Sequence, residues 1–100
     1  MYISGQLPVT AGAAEVVPGG IKAQTLCVLE SMEALLKEEG LDRNSVIQCR
    51  AYLTDIGLWD EFNQVYAGFF GGHRPARAVI PVGPLLFGCN IELEAVAELP

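Results

Sequence analysis

The sequence predicts a four-stranded β-sheet with two helices packed against one of its faces. Short runs in which apolar and polar residues alternate indicate strands. Two longer segments repeat apolar residues every three or four positions, which is typical of helices. Glycines and prolines separate these segments, in the order strand, helix, strand, helix, strand, strand. Two such helices cover one sheet face, so the other face is expected to be bare and available to a second subunit.

The first strand and the first helix are predicted at residues 2–9 and 21–39, with a loop rich in small residues between them. The helix has one apolar stripe, formed by Val28, Leu29, Met32, Leu35 and Leu36. Gly40 follows the stripe, and glycine there favours the left-handed conformation that ends many helices.

The second strand, predicted at residues 45–53, alternates between an apolar face and a mixed face. The apolar face consists of Ile47, Cys49, Ala51 and Leu53. The second helix begins near Asp55 or Gly57 and extends to about Phe70. Its stripe consists of Leu58, Phe62, Val65, Tyr66 and Phe69.

The last two strands are predicted at residues 77–82 and 89–99, and we expect them to pair as a hairpin. In that arrangement Arg77, Glu92 and Glu94 share the sheet face without helices. Taken alone, these residues favour an exposed ion pair worth less than about 1 kcal/mol. If an interface buries that face, however, Arg77 is suited to grip a substrate carboxylate and a glutamate to position or deprotonate water.

Composition narrows the classes of function. Hydrophobic residues make up 51% of the chain and charged residues only 18%, which favours an oligomer that hides apolar surface. A net charge of −6 with six Lys and Arg argues against a general nucleic-acid binder. We find no membrane-spanning run and no signal-peptide pattern.

Three scattered cysteines and one histidine, His73, give no metal-ligand spacing. Cys49 is expected in the core, and Cys27 and Cys89 are expected to be mostly buried thiols. We therefore predict a reduced cytoplasmic protein without a metal. His73 follows two glycines and is expected at the surface.

Six segments, in order along the chain, carry a resemblance to a known family. They are ISGQLP at residues 3–8, AQT at 23–25, LTD at 53–55, FNxxYxxFF at 62–70, PAR at 75–77 and IELEAVA at 91–97. Together they resemble the RidA/YjgF family of small trimeric proteins, also called the L-PSP endoribonuclease-like family. The resemblance covers nearly the whole chain.

The resemblance implies an α+β, chorismate-mutase-like fold in one domain, residues 1–100. It also implies a homotrimer whose three sheets form a central barrel, with helices outside and ligand clefts between subunits. Most members begin with a strand and a Gly-Pro-Tyr segment that are missing before the Ser-Gly motif here. The chain is therefore expected to be a shortened member or part of a longer protein.

Members similar to the deaminase branch hydrolyse enamines and imines to 2-keto acids and ammonia without a metal or organic cofactor. By position, the resemblance implies that Arg77 binds the substrate carboxylate and that Glu92 places the attacking water. It places five further residues at the substrate cleft: Ser4, Gly5, Trp59, Asn63 and Val79. Val79 stands where the family commonly has a cysteine, so a thiol cannot take part at that position.

Two other functions remain open at this point. A trimer that binds a small carboxylate without turning it over is favoured by Val79 and by the missing tyrosine. Ribonuclease activity is suggested by some family names, but the acidic composition argues against it.

Overall fold

The structure, a computed structural model, describes residues 1–100 and contains two helices and four strands. The strands are β1 (Tyr2–Gln6), β2 (Val46–Leu53), β3 (Ala76–Pro81) and β4 (Ile91–Ala97), and the helices are α1 (Gly20–Glu38) and α2 (Trp59–Phe70). The strands form one mixed sheet in the order β1-β4-β2-β3. The predicted α+β class, with two helices on a mixed sheet, is confirmed. Neither helix has the length and apolar character needed to cross a membrane.

Helix α1 lies on the sheet through the apolar stripe that its sequence predicts. Val28, Leu29, Met32 and Leu36 are fully buried. The helix ends at Glu38, and Gly40 shortly after it has the expected left-handed conformation, with a φ of 73°. The amide of Leu41 then donates to the Leu36 carbonyl at 2.9 Å, which satisfies one of the last carbonyls of the helix.

Strand β2 is irregular at its start. Its pairing with β4 shifts register between Val46 and Gln48. As a result Val46 is fully buried, whereas Ile47 is 50% exposed. The prediction that Ile47 belongs to the apolar face is therefore wrong, because a bulge resets the alternation before Cys49.

The predicted hairpin of the last two strands is wrong. β3 pairs in parallel with β2, with Arg77 beside Cys49 and Val79 beside Ala51. Helix α2 supplies the long crossover that parallel strands need. β4 instead lies between β1 and β2 and is antiparallel to both.

This topology also overturns the predicted shared face of Arg77 and the two glutamates. Arg77 is paired with the buried Cys49 and so points to the helix side of the sheet. Glu92 and Glu94 are paired with Tyr52 and Arg50 on the open side. The prediction failed because the more apolar row of the edge strand β3, Ala78 and Ile80, is paired with Arg50 and Tyr52 on the open side, so apolar character did not mark the core side.

The open face of the sheet mixes apolar and charged groups. Tyr2 is 87% exposed there, and the hydroxyl of Tyr52 donates a hydrogen bond to Glu94. Arg50 lies 3.6 Å from the same carboxylate. On the sheet face without helices, the charges of Arg50 and Glu94 therefore offset each other within the chain.

Arg43 joins α1 to the end of α2. Its Nε and Nη2 each donate to Glu33 at 2.6 Å, and its Nη1 donates to the Phe69 carbonyl at 2.5 Å. The guanidinium carbon also lies 3.8 Å from the centre of the Phe69 ring. Because the Glu33 side chain is only 13% exposed, this contact is shielded from water and holds the C-terminal end of α2 in place.

We expect Arg43→Ala to lower the free energy of unfolding by about 1–3 kcal/mol at neutral pH, since hydrogen bonds to a charged partner are lost. The hydrogen bonds from Arg43 lower the pKa of Glu33. Their stabilisation is therefore present above the unfolded pKa of a glutamate, about 4.3, and is lost as pH falls through the lower folded value.

Urea unfolding at several pH values measures this difference. Lys37→Gln is the control, because Lys37 is exposed and lies 4.0 Å from the same carboxylate. A stability gap between wild type and Arg43→Ala that stays constant below the unfolded pKa contradicts the ion-pair account.

Candidate functional site

Arg77 lies at the start of β3 against one face of α2. Its Nη1 donates to Oδ1 of Asn63 at 2.6 Å. Its guanidinium carbon lies 4.8 Å from the centre of the Tyr66 ring and 5.6 Å from that of Trp59. Trp59, Asn63 and Tyr66 follow one another at steps of four and three residues, so a single helix face presents all three. Contact with ring faces and an amide oxygen orients the cation without neutralising it.

A pocket of about 320 Å³ opens beside this arginine. Its lining includes Asn63, Tyr66, Phe70, His73, Arg74 and Arg77. The wall therefore combines two guanidinium groups with aromatic rings, which suits a small anion that carries some carbon.

His73 and Arg74 belong to this pocket, although sequence reasoning did not assign them a role. Nε2 of His73 is 2.7 Å from the Val46 carbonyl, so this nitrogen donates and fixes the half-buried ring. Arg74 is exposed, three residues before Arg77. The sequence feature that could have indicated a role for Arg74 is the pair of arginines in the segment RPAR, residues 74–77.

The groups beneath Arg77 stay neutral. Tyr66 is 5% exposed, and its hydroxyl has no hydrogen-bond partner in the protein. Burial raises the pKa of Tyr66 and raises the pKa of the Cys49 thiol to about 11. Neither group is therefore an anionic base near neutral pH. Cys49 is fully buried, which confirms its predicted place in the core.

Val79 extends the same side of β3. It packs against the hydrophobic core and is paired with Ala51. An isopropyl group contributes neither a nucleophile nor a proton at this position. The structure thus brings together three of the predicted site residues, Trp59, Asn63 and Arg77, and Val79 follows two residues later on the same side of β3.

Gly5 and Glu92 form a second group, at the β1 edge of the sheet, and Ser4 next to them lines a groove with Arg50 and Glu94 on the open face. A Cβ atom on Gly5 would lie 2.0 Å from Oε2 of Glu92, so the carboxylate occupies the space that any other residue's side chain would need. β1 shifts register between Ile3 and Gln6, which accommodates this close approach. Glu92 takes no part in the ion pairs of the chain, which involve only Glu33 and Glu94 among the carboxylates.

The two groups are separated within one chain. Arg77 is on the edge strand β3, and Glu92 is on β4, two strand spacings or about 10 Å away. They also lie on opposite faces of the sheet. A small substrate held by Arg77 therefore does not reach Glu92 of the same chain. No cluster of three His, Cys, Asp or Glu side chains is arranged to hold a metal ion.

The fold and these two groups define a small α+β protein with an unpaired arginine beside a pocket, and comparison with known proteins gives its family. The profile described as endoribonuclease L-PSP matches residues 1–99. The chain belongs to this family, the RidA/YjgF family of the sequence resemblance.

Three relatives illustrate the similarity. A rat protein named 2-iminobutanoate/2-iminopropanoate deaminase is 34% identical over 97 residues, which are 97% of this chain and 71% of the rat protein. The crystal structure of RidA from an Antarctic Psychrobacter bacterium is 32% identical with a TM-score of 0.90, covering 98% of this chain and 79% of that one. Escherichia coli TdcF with bound serine is 29% identical with a TM-score of 0.91, covering 99% and 80%.

We expect Gly5→Ala to move the Glu92 carboxylate and to leave the fold intact. Gly5 does not have a positive φ, and the atom in conflict is at the end of a flexible side chain, so Glu92 yields before the backbone does. A crystal structure of the variant and its melting temperature measure both effects. Gly83→Ala is the control, because a Cβ there meets nothing within 4 Å. An unmoved carboxylate contradicts the steric account.

Proposed function

We propose that the protein hydrolyses reactive 2-imino and 2-enamino acids to 2-keto acids and ammonia, in sites shared between the subunits of a homotrimer. The observation that carries the proposal is Arg77, which is oriented by Asn63 and by aromatic rings but has no carboxylate partner beside its pocket. Family membership and the name of the rat relative support the choice of reaction.

In this proposal Arg77 anchors the substrate. Its Nη1 is engaged by Asn63, and the remaining guanidinium donors are available to a carboxylate. The serine bound in the related TdcF structure is also a small amino acid with a carboxylate. Anchoring fixes the imine carbon at one position, which lowers the entropic part of the barrier to attack.

Glu92 is the proposed base. Its carboxylate takes a proton from water while the water oxygen bonds to the electrophilic imine carbon. Glu92 returns this proton to the nitrogen, the newly formed hydroxyl group supplies a second proton, and the nitrogen leaves as ammonia when the carbon–nitrogen bond breaks. The carbon–oxygen double bond of the keto acid forms in the same step, so water and imine account for every atom of the products.

A ring of three subunits supplies what one chain lacks. β1 and β3 are the two edges of the sheet, and each edge carries one half of the candidate site. If the β3 edge of one subunit packs across the open face of the next subunit beside its β1, Arg77 approaches the neighbour's Ser4, Gly5 and Glu92. The same ring covers the open face, where Tyr2 is 87% exposed and Ile47 is 50% exposed.

Carboxylate binding without turnover is the second candidate, and Val79 favours it because the side chain two residues after the anchor carries no thiol. Ribonuclease activity, which the family description suggests, fits less well with a net charge of −6.

Arg77→Ala is expected to lower kcat/KM for 2-iminobutyrate about 100-fold, because a charged anchor is worth about 2–5 kcal/mol. Arg77→Lys should fall between wild type and Arg77→Ala, since lysine keeps the charge but loses the bidentate geometry. The measurement is release of 2-oxobutyrate from the imine that an amino-acid oxidase generates in the assay.

Lys37→Gln, which removes one exposed positive charge on α1, is the control and should match wild type. If wild type binds 2-oxobutyrate and does not accelerate its release, the binding function replaces the deaminase. If wild type accelerates release and Arg77→Ala does so equally, Arg77 is not the anchor.

Shared sites predict complementation between inactive subunits. Arg77→Ala chains retain Glu92, and Glu92→Gln chains retain Arg77. When equal amounts are unfolded and reassembled together, about a quarter of the sites in a threefold ring should combine both intact residues. Each variant reassembled alone should stay at its own low rate, which for Arg77→Ala is about 100-fold below wild type.

Analytical ultracentrifugation verifies the trimer in both samples, and keto-acid release measures the recovered activity. Trimers that mix subunits but recover no activity would place both residues in one chain's site, against the proposal.

A further inference from the structure

The arginines of this chain divide into two classes. Arg43 is paired with Glu33, and Arg50 is paired with Glu94. Arg74 and Arg77 have no carboxylate within ion-pair distance, and both line the pocket of about 320 Å³. The chain has twelve Asp and Glu against six Lys and Arg, yet no acidic side chain lines this pocket. The pocket is therefore a concentrated positive site on an acidic protein.

One carboxylate does not account for two unpaired guanidinium groups. Arg77 alone supplies a bidentate grip on one carboxylate. Arg74 lies three residues earlier, and Pro75 between them restricts the backbone. The two cations are thus held on one wall at separate points along the chain, which fits two anionic groups on a single ligand.

The remaining lining indicates what joins those two groups. Tyr66, Phe70 and Pro75 give the wall apolar surface. Such surface suits the methylene groups of a short carbon chain better than it suits a compact inorganic anion. His73 donates through Nε2 to the Val46 carbonyl, so it serves as a fixed part of the wall.

We propose that the preferred ligand is a dicarboxylic acid, with the α-carboxylate on Arg77 and the distal carboxylate on Arg74. This inference rests on the proposed function. The substrate is then the imine of an amino dicarboxylic acid, and the product is a 2-keto dicarboxylic acid. Arg74 is then the residue that sets specificity, and it takes no part in the chemical step.

Calorimetric titration of the assembled protein with 2-oxoglutarate, 2-oxobutyrate and inorganic phosphate tests the preference without needing turnover. Wild type should bind 2-oxoglutarate about tenfold more tightly than 2-oxobutyrate, because a second charge-assisted pair forms. Arg74→Gln should lose that preference and keep its affinity for 2-oxobutyrate. Arg74→Lys, which keeps the charge, should retain part of it. Lys37→Gln controls for the change in net charge.

Equal affinity of wild type for the two keto acids overturns the proposal, as does a preference that survives in Arg74→Gln. Phosphate binding more tightly than 2-oxoglutarate overturns it in favour of a phosphate ligand.

Turnover of the imines made from glutamate and from 2-aminobutyrate separates this inference from the proposed function. Equal kcat/KM for the two imines overturns the specificity and leaves the deaminase standing. A tenfold binding preference without turnover of either imine supports the dicarboxylate site and overturns the deaminase.

Discussion

The parallel pairing of β3 with β2 determines the side of the sheet to which Arg77 points. Because α2 connects the two strands, β3 returns alongside β2 with Arg77 beside Cys49, on the side that the helices cover. There the arginine meets the aromatic face of α2 and not the glutamates of β4. Had the last two strands formed a hairpin, Arg77 would have faced a carboxylate and been neutralised by it. An available cation beside a pocket is thus a product of topology.

The same topology explains why the many acidic residues of the chain do not neutralise the arginines of the pocket. The partnered carboxylates are Glu33, beneath the junction of the two helices, and Glu94, on the open face. Neither borders the pocket. Arg43 additionally ties α1 to the end of α2, next to Phe70 in the pocket wall. A structural ion pair therefore supports the position of the wall without supplying a competing charge to its surface.

Local patterns were sufficient to predict the elements and the packing of the helices. The stripe of α1, the cap at Gly40 and the buried Cys49 all follow from short-range periodicity or backbone preference. Strand neighbours were not predictable in this way, because the more apolar row of the edge strand β3, Ala78 and Ile80, faces the open side and the row with Arg77 faces the helices. The bulge that exposes Ile47 has no local signal either.

The candidate site was predictable to the extent that its residues stand in recognisable motifs. Trp59, Asn63 and Arg77 come together as the motifs suggest, and Gly5 lies against Glu92 in a second group. The separation of these groups was not foreseen, since it depends on the order of strands. His73 was expected at the surface and Arg74 was given no role, because loop residues carry little pattern, and the structure shows both in the lining of one pocket.

The position of the Glu92 carboxylate depends on the lack of a Cβ atom at Gly5. All nineteen alternatives carry a Cβ, and each would place it where the Glu92 carboxylate rests. Size, charge and hydropathy scales therefore rank substitutions at this position wrongly, since the smallest addition already collides. Any redesign of the surroundings of the Glu92 carboxylate has to keep glycine at position 5 and change other residues of β1 or β4.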